Sequence, residues 1–447
     1  MHPDLRVAYQ RGIYLYAKSL MAALATFEPR YRLLTDEVST GDARADVDRL
    51  IQDIEHPRKV KVRALQMLPR YLAMMRNPLV PAALWDIPEL AGLHDRSAFL
   101  RTAGGLVNVE MVYEVSRLAS SKPFVPPLQM DFLQARGSDL VLTTAPCAIQ
   151  SRTGRVRIVQ TIHDMFLYDA PSSDSNGRKF RRKVGACVAH ADMLLAMSEY
   201  TREVMLQHHP EAESRIRVLH QPIPADEPTI AQSAQDVIQA TTLGRWGLLP
   251  RQFILYVGAV EERKNVARLI HAHRQSAHAK RLPLVIAGMA EPGYLARNGL
   301  STQRDASGVE RISGGSDVSD VMMLGRVSEL DKLVLLRCAT LFAFPTLVEG
   351  FGIPVLEAQS FGCPVLASAG STMPEVLGDS AVLVDRIEDV QALSSALDRI
   401  VSQPVWMQSL SQAGLINSQR FSKATFASRL NALIAECRAH PPRRRMR

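Results

Sequence analysis

Phe344-Pro-Thr-Leu-Val-Glu349-Gly350-Phe351-Gly352-Ile-Pro354-Val-Leu-Glu357-Ala358 is the stretch that decides how this chain is read. The apolar run before it, Leu341–Phe344, reads as a buried strand, the two glycines permit a tight turn, and Pro354 suits the first position of a helix. Glu349 then lies in the loop and Glu357 on the first turn, so both carboxylates can face one ligand. In an unbroken helix the same spacing would hold them roughly 12 Å apart. The turn is what brings them together.

A strand, a glycine turn and a bare helix N-terminus make an anion site, because the first backbone N–H groups are unpaired and the positive end of the helix dipole points outward. Carboxylates beside it would repel a phosphate, so they are better suited to accept hydrogen bonds from hydroxyl groups on either side. A nucleotide sugar has that pattern: sugar, diphosphate, ribose. The plainer alternative is an acidic first turn facing solvent, which the dipole also favours. Against it, the helix ends at Phe361-Gly362, residues 363–367 read as the next buried strand, and Gly370-Ser-Thr-Met-Pro-Glu375 is a polar turn into another helix.

With this composite motif the sequence resembles the retaining, GT-B-type glycosyltransferases of family 4, the glycosyl transferases group 1. The resemblance is close over residues 253–385, looser over 139–223 and poor before that. It implies an α/β GT-B fold of two Rossmann-like domains facing a cleft. The expected organisation is an acceptor-side domain over residues 1–221, a linker over 222–251 rich in proline (Pro222, Pro224, Pro228, Pro250), and a nucleotide-sugar domain over 252–422. A C-terminal helix and basic tail, 423–447, complete it, and the resemblance has that helix cross back to the first domain. Apolar runs at residues 139–143, 156–161 and 193–197, then 253–257, 284–287, 321–324, 341–344 and 365–367, alternate with helical patterns as parallel sheets require. Residues 297–320 read as an extended polar loop. Only eleven residues precede Gly12, and residues 5–9 are the candidate first strand, either a reduced edge or the sign of a start inside a longer gene.

Two further strand ends carry chemistry. Val257-Gly258 leads through Glu261-Glu-Arg263-Lys264-Asn265 into a helix over 266–277. Cations fixed there can neutralise a departing nucleoside diphosphate. A basic pair at a helix start often only faces solvent; the resemblance makes Lys264, with Arg263, the diphosphate ligands. Thr161-Ile162-His163-Asp164 ends another strand, where the resemblance gives His163 a contact to the donor sugar near the reacting carbon and Asp164 the task of orienting it. Ser198 suits a helix N-cap. The resemblance thus implies Glu349 on sugar hydroxyls, Glu357 on the ribose, and Gly350, Phe351 and Gly352 lining the donor. Retention in the family implies front-face attack with the leaving phosphate oxygen taking the acceptor's proton.

The 447 residues carry a formal charge of +8, with 47% hydrophobic and 22% charged residues, ordinary for a folded two- to three-domain protein. No run is long and apolar enough for a membrane span and no signal peptide is evident, so a cytoplasmic protein is expected, with the inner membrane face as a candidate location. The five cysteines show no metal-ligand spacing. Asp46-Val47-Asp48 has the spelling of a metal-binding pair but sits at a polar helix start; with Arg263 and Lys264 available, activity without a metal or other cofactor is expected. A pI near 9.3 fits an anionic partner. The basic stretches 56–76 and Arg178-Lys-Phe-Arg-Arg-Lys183 suit either solvent or an anionic bilayer. Nucleic acid is not expected.

The resemblance is strongest to bacterial transferases of O-antigen, capsule and exopolysaccharide synthesis, many of them mannosyltransferases. It implies GDP-mannose as donor and a carbohydrate or lipid-linked acceptor. A sugar-nucleotide epimerase or phosphorylase on the same fold, or a non-catalytic nucleotide-sugar-binding protein, remain alternatives. A dinucleotide oxidoreductase is disfavoured because no Gly-X-Gly-X-X-Gly follows an early strand.

Overall fold

The computed structural model describes residues 12–28, 30–35, 84–87, 103–109, 112–121, 125–169, 174–306, 308–313 and 320–440, with isolated positions besides. Residues 5–9, the Asp46-Val-Asp48 triplet, the basic stretch 56–76 and the tail 441–447 lie outside them. Two compact units emerge, one of Met1–Pro222 with Lys423–Arg447 and one of Ile223–Ser422.

In the first unit β1 (Leu33–Thr35), β2 (Leu84–Ile87) and β3 (Leu106–Val109) form a small sheet, and β4 (Leu128–Gln129) pairs with β6 (Ile149–Gln150). A parallel sheet runs in the order β5 (Leu140–Thr143), β7 (Arg157–Ile162), β8 (Met193–Ala196), β9 (Ile216–Val218). All four residues of β8 are buried, the continuous apolar run expected of a parallel strand covered on both faces. The last helix, Lys423–Ala439, belongs to this unit. Its Phe426 meets Tyr16 of the helix Gly12–Phe27 edge to face, with ring centroids 6.0 Å apart. Arg438 ties the helix's far end to Asp139 (2.7 Å) and Glu28 (2.9 Å).

The second unit is built on β10 (Ile254–Val257), β11 (Leu284–Ala287), β12 (Ser301–Arg304), β13 (Glu310–Ser313), β14 (Val321–Gly325), β15 (Leu341–Phe344), β16 (Val365–Ser368) and β17 (Val382–Val384). They form one sheet in the order β12-β13-β14-β11-β10-β15-β16-β17. Its six parallel strands follow the doubly wound order 3-2-1-4-5-6, which puts the reversal point, and the ligand crevice that goes with it, at the carboxyl ends of β10 and β15. Tyr256, Phe342 and Phe344 stack between these strands and are fully buried, which fixes where both strand ends emerge.

Two segments differ from the sequence reading. Within 222–251, read as a linker, helices Glu227–Ser233 and Asp236–Gly244 pack on the helix Glu329–Cys338. Pro228 misled because it sits in the first turn, where a missing N–H costs nothing, and Asp226 caps that turn by accepting from the Thr229 amide at 3.2 Å. Within 297–320, read as a loop, β12 and β13 make an antiparallel hairpin that widens the sheet beyond β14. The β12 residues are all exposed, so the strand lacks the apolar alternation that would have announced it.

Candidate active site

After β10 the chain turns at Gly258 and runs through a single 3₁₀ turn, Glu262–Lys264, that ends at Asn265 in the left-handed conformation. After β15 it enters the loop 345–352. Backbone bonds splice the two: the Leu347 amide donates to the Arg263 carbonyl at 2.8 Å, and the Thr346 hydroxyl donates to the same oxygen at 3.2 Å. Lys264 and Glu349 thereby meet as an ion pair, with the ammonium 5.0 Å from the centre of the Phe344 ring. Arg263 reaches Glu349 at 3.5 Å and Glu261 at 2.7 Å. Lys264 is buried while Arg263 stays about a third exposed, so the lysine is the fixed charge and the arginine the adaptable one.

The Glu349 loop is held by the Ser371 hydroxyl, which accepts from the Glu349 amide at 3.2 Å, and by Thr372, which donates to the Phe351 carbonyl at 3.2 Å. Gly352 starts the helix Ile353–Ser360 at φ +98, and no side chain caps that end. An added Cβ there would also fall 2.4 Å from the Met373 methyl. Gly350 has no positive φ, so the turn rests on Gly352 alone. Phe351 is buried with its ring against Phe421, centroids 5.6 Å apart, which leaves its backbone as the part able to meet a ligand. On the β10 side the Gly258 carbonyl lies where a Cβ on Gly288 would be, at 1.8 Å, so the strand ends can close on each other only if residue 288 is glycine.

Glu357 departs from the expected picture. Ile353 opens the helix, Pro354 follows it, and Glu357 lies one turn in, buried to 2% exposure. It makes no bond to Glu349 or Lys264. Its Oε1 instead accepts from Lys332 Nζ at 2.8 Å, and Lys332 also meets Glu329 at 2.9 Å. Burial pushes the Glu357 carboxyl up in pKa, with Lys332 opposing. Burial pulls Lys332 down, but Glu357 and Glu329 outweigh it and hold the ammonium above its usual value. Sequence reading missed Lys332; its only signal was a lysine amid Leu330, Leu333 and Val334, on a helix with a buried apolar side.

In the first unit His163 follows β7. Its Nε2 lies 2.7 Å from the Thr144 carbonyl, which can only accept, so that nitrogen carries a proton. Tyr16 stacks edge-on at 5.1 Å and is itself placed by a 3.3 Å contact between its hydroxyl and Thr161. Burial raises the Tyr16 pKa far above the usual phenol value, so its hydroxyl stays neutral. Asp164 is partly buried beside it in the chain. Ser198 caps the helix Glu199–His208, accepting from the Thr201 amide at 3.0 Å.

A doubly wound domain with cations, a carboxylate loop and an open helix end at its reversal point is what one half of a GT-B fold presents. Residues 247–416 match the model for glycosyl transferases group 1, residues 93–227 match that for Glycosyltransferase Family 4, and the chain belongs to this family. It is 26% identical over 272 residues to the O-antigen chain mannosyltransferase B of Escherichia coli, covering 60% of this chain and 67% of that one. It is also 28% identical over 256 residues to the serotype-specific mannosyltransferase WbdA of the same species, of which the match spans 30%. Anabaena HepE with bound UDP-glucose shares the fold at a TM-score of 0.58 and 15% identity, over 94% of this chain and 96% of HepE. Among the described residues no helix is long and apolar enough to cross a membrane.

Proposed function

We propose that this protein transfers a hexose, mannose by preference, with retention from a nucleotide diphosphate sugar to a carbohydrate or lipid-linked hydroxyl in bacterial surface polysaccharide synthesis. The observation that carries it is the Lys264–Arg263–Glu349 cluster at the reversal point beside the open helix end at Gly352. With Glu349 and Glu261 as counterions the two cations wait paired, Lys264 buried and Arg263 partly exposed. An arriving diphosphate takes over the cations and frees Glu349 for the sugar hydroxyls. As the bond from the anomeric carbon to the phosphate oxygen breaks, the acceptor oxygen bonds to that carbon on the same face, charge grows on the leaving oxygen near the cations, and the acceptor's proton passes to it. No separate general base is required.

The mannosyltransferase relatives favour mannose, and a GDP-mannose-dependent mannosyltransferase of Corynebacterium glutamicum, 32% identical over 156 residues, favours GDP-mannose as donor. Arg263 and Lys264 stand where a divalent ion would otherwise be needed, so transfer proceeds without metal and persists in chelator. The basic helix Ser175–His190, with Arg178, Lys179 and Arg182 exposed, suits contact with an anionic membrane where a lipid-linked acceptor resides. The test is radiolabelled transfer from GDP-mannose, UDP-glucose and related donors to a panel of mannosyl and polyprenyl-linked acceptors. Donor isomerisation or phosphorolysis in place of transfer would overturn the proposal.

A further inference from the structure

One charged pair of the second unit, Lys332 with Glu357, has no part in holding the sugar or the diphosphate. Lys332 projects from the helix Glu329–Cys338, half of whose residues are buried and apolar, and its ammonium meets one oxygen of Glu357 on the helix Ile353–Ser360. Replacing a buried ion pair with apolar side chains is often neutral or stabilising, so packing alone gives no reason to keep it. Glu357 also has an oxygen to spare. Among the described residues nothing donates to Oε2, while Oε1 is held at 2.8 Å. A carboxylate clamped through one oxygen and unshared at the other is oriented toward a donor that the protein does not supply.

We propose that Lys332 is a positioning residue of the donor site, fixing Glu357 through Oε1 so that Oε2 accepts a hydrogen bond from a ribose hydroxyl. This rests on the nucleotide-sugar reading and adds to it the residue that sets recognition of the ribose. Glu329 completes the arrangement: it holds Lys332 from the solvent side at 2.9 Å and is itself 40% exposed, so the lysine is drawn tight between two carboxylates. Lys332 and Glu329 are the charged groups acting on Glu357, both from the one helix.

The experiment measures binding of GDP and UDP, each beside its 2′,3′-dideoxy form, to wild-type protein and to Lys332→Met. A hydrogen bond to a charged acceptor corresponds to a preference of about 10-fold or more for the ribo form in wild type. The preference falls to near one in Lys332→Met, because the carboxylate is no longer held. Lys332→Gln, polar but uncharged and too short to hold Oε1 as the lysine does, is the second variant should the methionine protein not fold; its preference falls as well. A wild-type preference in either folded variant overturns the proposal, and so does equal weakening of both nucleotide forms, which would make Lys332 a direct ligand of the diphosphate or a purely structural residue. Absence of any ribo preference in a wild-type protein that binds GDP or UDP also overturns it while leaving the transferase reading intact. Failure of wild type to bind either nucleotide overturns both.

Discussion

Lys264 shows how much one residue is asked to do. It is buried, paired with Glu349, and set over an aromatic ring, so its charge is strong and its position fixed before a ligand arrives. Lys264→Ala is expected to lower kcat about 10²–10³-fold in the transfer assay, the scale for loss of one preorganised charge-stabilising group. Glu349→Gln should weaken handling of the donor sugar but tighten binding of free nucleoside diphosphate, because the cations no longer have to be released from a carboxylate, and a direct titration separates the two effects. The glycines carry a different burden. Gly288→Ala drives a methyl group into the Gly258 carbonyl, a backbone atom with no rotamer to escape by, and should destabilise by at least about 1–3 kcal/mol in urea unfolding. His163 is hydrogen-bonded to the Thr144 carbonyl; if it also meets the donor sugar, as the resemblance implies, His163→Ala should cost about 10²-fold or more in kcat with little change in stability.

At the scale of elements, the final helix depends on charge at its far end. The Arg438 hydrogen bonds hold the Asp139 carboxyl below its usual pKa. A depressed carboxylate contributes stability that is present above its unfolded value, near 4, and is lost as pH falls through the folded one. Asp139 is 59% exposed, so the contribution is no more than about 1 kcal/mol after screening. Protease cleavage near residues 423–439 should therefore increase as pH drops below about 4 in wild type, and Asp139→Asn should flatten that dependence. Elements also show what a sequence discloses. Both-face-buried strands such as β11 and β15 are legible because burial demands unbroken apolar runs, and the turn at Gly352 is legible because a positive φ demands glycine. The hairpin β12–β13 and the helices inside 222–251 are not. Their residues are mostly polar or amphipathic, and it is packing on β14 and on the helix Glu329–Cys338 that decides their state. Within the site the same division holds: Lys264 and Glu349 lie at strand ends that sequence can place, while the partnership of Lys332 with Glu357 joins two helices by a long side chain that no local pattern records.

For the whole molecule, unit Ile223–Ser422 holds the match to glycosyl transferases group 1, residues 247–416, and the other unit holds most of the match to Glycosyltransferase Family 4, residues 93–227. If the basic face of helix Ser175–His190 meets anionic lipid, reversing Arg178, Lys179 and Arg182 to glutamate should reduce cosedimentation with phosphatidylglycerol vesicles several-fold while leaving transfer to a water-soluble acceptor unchanged; equal vesicle binding would assign that face to solvent. The central claim concerns one place in the second unit. A crystal structure of the protein with GDP-mannose or its nucleoside diphosphate product tests it most directly. The account predicts diphosphate oxygens within hydrogen-bonding distance of Lys264 Nζ and the Arg263 guanidinium, with the pair from Lys264 to Glu349 opened. A nucleotide bound away from these residues, with that ion pair intact, would contradict it.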